Sequence, residues 1–293
     1  MQGLPFEIIK EILSRLPVKS LLRFRCVSKD WCCVISDPFF ISQHLNLSSE
    51  YKIGLCLTNG RLFTITFDGL SSTATMVDIP FKGLEDSVEI LGSCNGLLCL
   101  FVSKRLSSWF RHISPIYLWN PAISEYKKLP DAPIGSPRIW GINNTVLGFG
   151  YDPINNEYKV VRIIYFCERG TDRLIYKSDV RVYSLGTGKW KKLGDAPFDS
   201  RDCSSSKVVV NGYIHWLATR EIKSVISEFI ISFDVRNEVF EEIQHPDCGE
   251  GDETHCNFVA FLGGCLSLVG CIFGRCVEIW VMKDSGVNES WTK

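Results

Sequence analysis

The chain has 293 residues, of which 45% are hydrophobic and 22% are charged, and its formal net charge is −1. This length and composition are typical of a soluble globular protein with one large or two modest domains. A net charge near zero gives no global field for attracting a phosphate backbone or an anionic membrane, so nucleic acid and membrane are poor candidates as partners.

The first 45 residues carry apolar side chains at helical spacing. Ile8, Ile12 and Leu16 share one helix face, and Ile9 and Leu13 lie beside it. A segment of this size has too little interior to bury so many large apolar side chains by itself. We therefore expect either the rest of the chain or another protein to cover them.

Start and stop signals divide this segment into short helices. Pro5 suits a first helical position, and Pro17 ends the first helix and precedes the second. Ser28 is a suitable cap for a third helix, and Asp37 followed by Pro38 repeats the signal for a fourth. We predict a compact set of short helices in residues 1–45.

After about Tyr51 the helical period disappears, and short apolar or aromatic runs alternate with turn formers, which is typical of strands. Residues 46–293 are therefore predicted to form an all-β domain. Within it, aromatic residues recur seven positions apart around turn-forming sequences, which predicts a strand, a tight turn and a second strand. The pairs are Trp119 and Tyr126, Tyr151 and Tyr158, Tyr183 and Trp190, and Phe233 and Phe240.

A longer repeat is superimposed on these hairpins. The hairpins begin at Phe67, Trp119, Tyr183, Phe233 and Trp280, an interval of roughly 50 residues that matches one four-stranded blade of a kelch-like propeller. Glycine-led strands such as "NGLLCLF", "LGFGY", "NGYIHWL" and "GGCLSLV" precede several of them. A propeller is favoured over a sandwich, because a sandwich gives no reason for this interval. The uncharged run from Phe258 to Phe273 is short and interrupted by Gly263 and Gly264, which predicts two buried strands around a turn rather than a membrane span.

The thirteen cysteines are an odd number scattered along the chain, and the N-terminus lacks the features of a signal peptide. These features indicate that the protein is located in a reducing compartment, which is the cytoplasm, the nucleus or both.

The sequence matches known catalytic motifs only weakly. Cys94 lies at the centre of "GSCNG", which resembles a nucleophile elbow, but a strand follows where that motif needs a helix. We therefore predict a hairpin at Cys94 and a structural role for His215, which alternates with aromatic residues in "YIHWL". No nucleotide-binding glycine motif is complete, so neither a cofactor nor catalysis by this chain is expected.

The loop "HPDCGEGDETHC" carries soft ligands of the kind that bind zinc. The spacing lacks a Cys-x-x-Cys knuckle, and adjacent ligands hinder tetrahedral closure, so no metal is expected. The potential ligands in this loop are His245, Cys248, His255 and Cys256.

The segment "LPFEIIKEILSRLPVKSLLRFRCVSKDWCCVISDPFF" resembles an F-box, in the form found in the large plant group that joins it to an F-box-associated domain. The later segments "LWNPAISEYKKLP", "GFGYDPINNEYKVV", "VYSLGTGKWKKL", "IISFDVRNEVFEEI" and "EIWVMKDSGVNESWTK" resemble landmarks of that domain in family order. The resemblance covers nearly the whole chain. It implies an α+β multidomain protein with a small helical F-box followed by a kelch-like β domain.

The resemblance also implies a function and a partner. F-box helices dock on a Skp-type adaptor, which connects them to a cullin and a ubiquitin-conjugating enzyme, while the β domain holds a target protein. The resemblance places the adaptor contacts at Leu4, Pro5, Ile8, Ile9, Ile12, Leu16, Pro17, Leu21, Leu22, Cys26, Val27 and Trp31. For each of them, packing within the helical region is the alternative to an interface.

The family usually continues for some tens of residues beyond "ESWTK", so the resemblance leads us to expect a β domain that is short at its C-terminus, with an exposed strand edge. Two alternative functions remain. One is a propeller enzyme or glycan-binding domain fused to an F-box, and the other is a shortened receptor that binds adaptor without presenting a substrate. The target protein and the residues that hold it are not readable from the sequence.

Overall fold

The computed structural model describes residues 5–48, 53–58, 61–67, 72–81, 83, 86–104, 114–133, 141–169, 174–198, 202–222, 225–246, 255–272 and 276–293. Within these ranges the chain begins with α-helices and continues with β-strands. The helices are α1 (Phe6–Ser14), α2 (Val18–Phe24), α3 (Lys29–Ser36) and α4 (Pro38–Ser48).

The strands follow one another without an intervening α-helix in the described part of the chain. They are β1 (Ile53–Thr58), β2 (Arg61–Phe67), β3 (Ser72–Val77), β4 (Asp86–Cys94), β5 (Leu97–Lys104), β6 (Ile116–Asn120), β7 (Glu125–Lys128), β8 (Gly141–Asp152), β9 (Glu157–Arg169), β10 (Leu174–Ser184), β11 (Lys189–Gly194), β12 (Asp202–Val210), β13 (Tyr213–Ile222), β14 (Val225–Asp234), β15 (Val239–Ile243), β16 (His255–Leu262), β17 (Cys265–Ile272), β18 (Cys276–Met282) and β19 (Trp291–Thr292). A short 3₁₀ turn, Asn288–Ser290, precedes β19.

Each sheet consists of strands that are consecutive in the chain. Among the described residues, one sheet has three strands, β1 to β3, and four sheets have four strands each: β4 to β7, β8 to β11, β12 to β15 and β16 to β19. This up-and-down order of four strands is that of a propeller blade. The long repeat predicted from the sequence is confirmed for four of its five members, because Trp119, Tyr183, Phe233 and Trp280 all lie on the third strand of their sheets. The fifth, Phe67, ends β2, the second strand of the three-stranded sheet.

The chain divides into two compact units. The first comprises Met1–Val88, Asn95–Leu97 and Trp119–Lys127, and it contains the helices. The second comprises Glu89–Cys94, Leu98–Leu118 and Lys128–Lys293. The predicted domain boundary at residue 45 stays a prediction.

Apolar layers between neighbouring sheets hold the second unit together. One layer joins the sheet of β8 to β11 to the sheet of β12 to β15, and its largest members are Tyr165, Trp216, Phe229 and Phe233. A second layer joins the sheet of β12 to β15 to that of β16 to β19 through residues such as Leu217, Ile230 and Leu268. Because these side chains are almost fully buried, each contributes on the order of 1.5–3 kcal/mol of transfer free energy.

The predicted aromatic hairpins are present, and in three of them the two aromatic residues lie directly opposite each other. Tyr151 lies opposite Tyr158, Tyr183 opposite Trp190, and Phe233 opposite Phe240. Their ring centroids are 4.7, 5.3 and 4.8 Å apart. Such cross-strand aromatic pairs stabilise a sheet and help to fix its register.

The hairpin turns share a left-handed residue two positions before the second aromatic. These residues are Ser124, Asn156, Gly188 and Glu238, with φ of 57°, 51°, 68° and 58°. Only one of the four is glycine, the residue with the lowest steric cost at positive φ. In two of the turns an aspartate accepts backbone hydrogen bonds: Asp152 from Ile154 and Asn155, and Asp234 from Arg236 and Asn237. These side-chain bonds support the turn in the way that Asx turns do.

Two details differ from the sequence-based prediction. The Tyr151 hairpin joins the first and second strands of its sheet, whereas the other hairpins join the third and fourth. The second detail concerns the run from Phe258, predicted as two buried strands. Its turn at Gly263 and Gly264 is present, and β17 is largely buried, but Phe258 and Phe261 on β16 are 44% and 57% exposed.

No helix among the described residues is long and apolar enough to cross a membrane.

His215 on β13 is 3% exposed. Its Nδ1 has no hydrogen-bond partner among the described residues. Burial lowers the pKa of His215 from 6.5 to about 4, so the folded protein keeps the imidazole neutral at pH 7. The unfolded chain binds a proton below pH 6.5 and the folded chain does not, so stability must fall as the pH falls from 6.5 towards 4.

We expect the free energy of unfolding to drop by about 1.5 kcal/mol between pH 6.5 and pH 5 through this residue alone. Urea titrations at the two pH values measure the drop, and His215→Gln should remove it. The matched control is His245→Gln, at a histidine that is only partly buried, and this variant should retain the drop that depends on His215. An unchanged pH dependence in His215→Gln would contradict the assignment.

Candidate functional site

Each helix of this region starts at a residue that the sequence indicates as a helix start. Pro5 and Pro17 precede α1 and α2 as their N-caps, one position earlier than predicted for Pro5. The side chain of Ser28 accepts a hydrogen bond from the Trp31 amide at 3.1 Å, as a capping serine does. Asp37 Oδ1 accepts the amides at the start of α4. The predicted caps at Ser28 and Asp37 are confirmed.

These helices have a small core of their own. Leu13, Leu21, Val34, Ile35 and Phe40 are buried in it. Other apolar side chains pack against the core while keeping part of their surface in solvent: Ile9, Leu16, Phe24 and Trp31. The rings of Phe24 and Trp31 meet edge to face at 5.6 Å, and His44 Nε2 lies 2.8 Å from the carbonyl oxygen of Leu16.

The structure distributes the predicted contact residues among three environments. Leu21 is 5% exposed and belongs to the core. Four are partly buried: Ile9, Leu16, Leu22 and Trp31. Six are exposed: Pro5, Ile8, Ile12, Pro17, Cys26 and Val27. Leu4 lies outside the described residues.

The exposed apolar residues are most regularly spaced on α1. Ile8 and Ile12 are 46% and 47% exposed and lie four positions apart, which places them on the same face one turn apart. Val27, in the connection from α2 to α3, is 60% exposed. Because the helical core forms without these three side chains, their exposure is not explained by packing within the helices.

Ion pairs lie along α1 beside this surface. Lys10 approaches Glu7 at 3.9 Å and lies over the ring of Phe6 at 5.2 Å from its centroid. Arg15 pairs with Glu11 at 2.6 Å. Such exposed pairs contribute little stability, typically about 0.3–0.5 kcal/mol. Their charged side chains show which part of the helix surface faces solvent.

Sequence reasoning missed further exposed apolar residues in the helical region. They are Phe6, Val18, Phe39, Ile41 and Leu47, and Phe39 is the most exposed of them at 77%. Helical periodicity could have indicated that one of Phe39 and Phe40 is exposed, since adjacent residues on a helix point about 100° apart and the two cannot both face the same core.

Cys94, whose sequence context resembles a nucleophile elbow, lies in a hairpin of the β domain. It ends β4, and the turn that follows has Asn95 and Gly96 at positive φ before β5 begins. The predicted hairpin is therefore confirmed. Burial raises the pKa of the Cys94 thiol to about 11, whereas a nucleophilic cysteine needs a lowered pKa.

Of the four possible zinc ligands, Cys248 lies outside the described residues. The described residues contain no group of three or more potential metal ligands, and the expectation that no metal binds stays a prediction.

Comparisons with known proteins agree with the division into helices and strands. The profile of a family described as "F-box domain" matches residues 1–43, and that of a family described as "F-box associated beta propeller domain" matches residues 55–293. Among curated proteins of Arabidopsis thaliana, an F-box protein is 32% identical over all of this chain and 72% of its own length. An F-box/kelch-repeat protein is 31% identical over 99% of this chain and 78% of its own length. A third, F-box protein CPR1, is 28% identical over all of this chain and 72% of its own length.

Proposed function

Because the chain belongs to the plant F-box proteins that carry an F-box-associated β-propeller domain, we propose that it is the substrate-recognition subunit of an SCF-type ubiquitin ligase. In this role the helices bind a Skp-type adaptor and through it a cullin, and the β domain binds a target protein. The predicted fold, a helical F-box followed by an all-β propeller domain, is confirmed by these matches and by the four four-stranded sheets.

The observation that carries the proposal is the exposed apolar surface of a helical region that already has a core. Ile8, Ile12 and Val27 expose about half of their side chains or more. Burying the exposed half of a side chain of this size in an interface contributes on the order of 1 kcal/mol. Apolar clusters of this kind on a folded surface mark sites where another protein binds.

The adaptor surface that we propose is therefore a subset of the residues that the resemblance indicated. It is centred on Ile8, Ile12 and Val27, with Pro5, Pro17 and Cys26 at the surface and Ile9, Leu16, Leu22 and Trp31 contributing their exposed parts. Leu21 is left out, because it is buried in the helical core and supports the surface from below. Leu4 keeps its place in the proposal through the resemblance alone.

The receptor acts by proximity and not by chemistry of its own. A target held on the β domain and an adaptor held on the helices are parts of one molecule, which raises the local concentration of target lysines near the conjugating enzyme. No catalytic residue in this chain is needed for that effect, and the raised pKa of Cys94 agrees with this assignment. The specific target stays unassigned.

The experiment is reconstitution of the complex with a Skp-type adaptor and a cullin. We expect the full chain to elute with both proteins in equal amounts on size exclusion. In cells with the proteasome inhibited, we expect proteins captured on the chain to carry ubiquitin, and we expect this ubiquitin to disappear when the cullin is removed. A chain that stays folded but elutes alone in the presence of adaptor would contradict the proposal.

A further inference from the structure

A cavity of about 80 Å³ in the second compact unit contains a buried arginine. Its walls are mainly apolar, from Phe101, Ile116, Leu129 and Leu147, and Arg162 and Trp190 complete it. These residues come from strands of two neighbouring sheets and from the segment that follows β7. The cavity thus combines an apolar lining with one cationic group.

Arg162 lies on β9 and is 4% exposed. Its Nη2 donates hydrogen bonds to the carbonyl oxygens of Pro133 at 2.8 Å and Ala132 at 3.3 Å. The guanidinium carbon lies 5.6 Å from the centroid of the Trp190 ring, and Trp190 Nε1 donates to the carbonyl oxygen of Pro130 at 2.8 Å. The guanidinium is therefore held in one position before any ligand arrives.

The charge of Arg162 lacks a neutralising partner. Within the described part of the chain, no carboxylate forms an ion pair with it, and its Nε has no hydrogen-bond partner. The nearby carboxylate of Asp179 pairs with Arg181 at 3.0 Å and with Lys192 at 3.9 Å. Arg181 lies directly opposite Arg162 across the two strands, so Asp179 is shared with other cations and does not neutralise Arg162 alone.

Burial is the main reason that the pKa of Arg162 falls to about 10, with Arg181 lowering it and Asp179 raising it. The group therefore stays charged at neutral pH. Proteins rarely leave a buried charge unpaired, because its desolvation costs several kcal/mol. Asp131 also lines the cavity, but its side chain is exposed to solvent, where water and salt screen its charge.

We propose that this cavity binds the carboxylate of an aspartate or glutamate side chain on the target protein, which rests on the receptor function proposed above. A carboxylate satisfies the unpaired guanidinium by charge-assisted hydrogen bonding. The size of the cavity suits a carboxylate with one or two methylenes, since about 10–15 Å³ of such volume holds one water. The apolar walls favour a carboxylate flanked by apolar residues.

The test measures peptide binding to the full chain purified with its adaptor. The probes are two fluorescein-labelled peptides, Gly-Leu-Glu-Leu-Gly and the same peptide with Gln in place of Glu, both blocked at their ends. We expect the Glu peptide to bind at least about tenfold more tightly, since hydrogen bonds to charged groups are the stronger ones. Arg162→Met should abolish the difference between the two peptides.

The matched control is Arg220→Met. Arg220 is also stacked on an aromatic ring, Phe229, and is paired with Glu242, but it lies in another sheet, so its loss should leave the preference for Glu intact.

A second measurement needs no variant and so does not depend on whether Arg162→Met folds. In the wild-type chain, sodium acetate should displace the Glu peptide, whereas acetamide at the same concentration and ionic strength should not.

Equal affinity for the two peptides would overturn the proposal, as would equal displacement by acetate and acetamide. Binding of acetate without binding of the Glu peptide would also overturn it, because the cavity would then take a free small carboxylate and not a side chain of a target. The chain is purified together with its adaptor, so the two proposals are tested separately. Failure of the receptor function would appear as loss of adaptor from the purified complex, whatever the peptides bind.

Discussion

Replacing Ile8 and Ile12 together with Asp is expected to abolish stable binding of a Skp-type adaptor. Both side chains are about half exposed on one face of α1, so their substitution leaves the helical core intact. Truncation of an interface anchor typically costs on the order of 2 kcal/mol or more, and a carboxylate buried without a partner adds a further desolvation cost. Together the two substitutions should weaken binding by at least about a thousandfold, which corresponds to about 4 kcal/mol.

The measurement is a titration of adaptor against the full chain by calorimetry, with circular dichroism to confirm that the helices remain folded. Ile154→Asp is the matched control, because Ile154 is 65% exposed in a turn of the β domain and the change introduces the same charge. We expect the control to bind adaptor with wild-type affinity. Wild-type affinity in the Ile8 and Ile12 variant would move the docking surface to other residues of the helical region.

The helical region shows which features are local enough to read from a sequence. The caps at Ser28 and Asp37 depend on residues within three positions of each other, so the sequence contains the whole interaction. The same holds for the aromatic pairs, because a tight turn fixes which residues lie opposite each other. For this reason the helix starts, apart from the shift of one position at Pro5, and the aromatic hairpins were predicted correctly.

Burial on the helices was harder to predict. Leu21 and Ile8 are both apolar and both match the family motif, yet one is buried in the helical core and the other is exposed. An amphipathic pattern indicates that a face is apolar, but it does not say whether that face packs on the chain itself or on a partner. The distinction depends on how the four helices pack together, which involves residues far apart in the sequence.

The arginine cavity was beyond the reach of sequence reasoning for the same reason. Arg162 meets carbonyl groups about 30 positions away, and Trp190 meets one 60 positions away. Trp190 belongs to a predicted aromatic pair, but nothing in the sequence connects it with Arg162, and their convergence results from the packing of neighbouring sheets. A signal was nevertheless present, since Arg162 is a charged residue within the apolar run "VVRIIYF" in the middle of a buried strand.

We expect Gly148→Ala to cause the largest loss of stability. It lies on β8, where the Cβ of any other residue would come within 2.5 Å of Trp216 Cζ2 and 2.9 Å of Ile214 Cγ2. Both neighbours are almost fully buried in the apolar layer between the two sheets. The Trp216 ring is also held in place by a hydrogen bond from its Nε1 to the carbonyl oxygen of Leu147 at 3.1 Å. Gly148→Ala should therefore lower the free energy of unfolding by about 3 kcal/mol, the upper part of the range for overpacked cores.

Urea titration of the full chain, followed by circular dichroism, measures the loss for Gly148→Ala. Gly186→Ala is the matched control, because its added carbon would meet only the flexible end of Glu157, at 3.0 Å, and it should change the free energy of unfolding by less than about 1 kcal/mol. The cause is isolated by combining Gly148→Ala with Trp216→Phe, since a smaller ring leaves room for the methyl group. If the clash with Trp216 sets the cost, the double variant is less destabilised than the two single losses added together. Simple additivity would show that the sheets separate slightly at this point and accept the methyl group without contact with the ring.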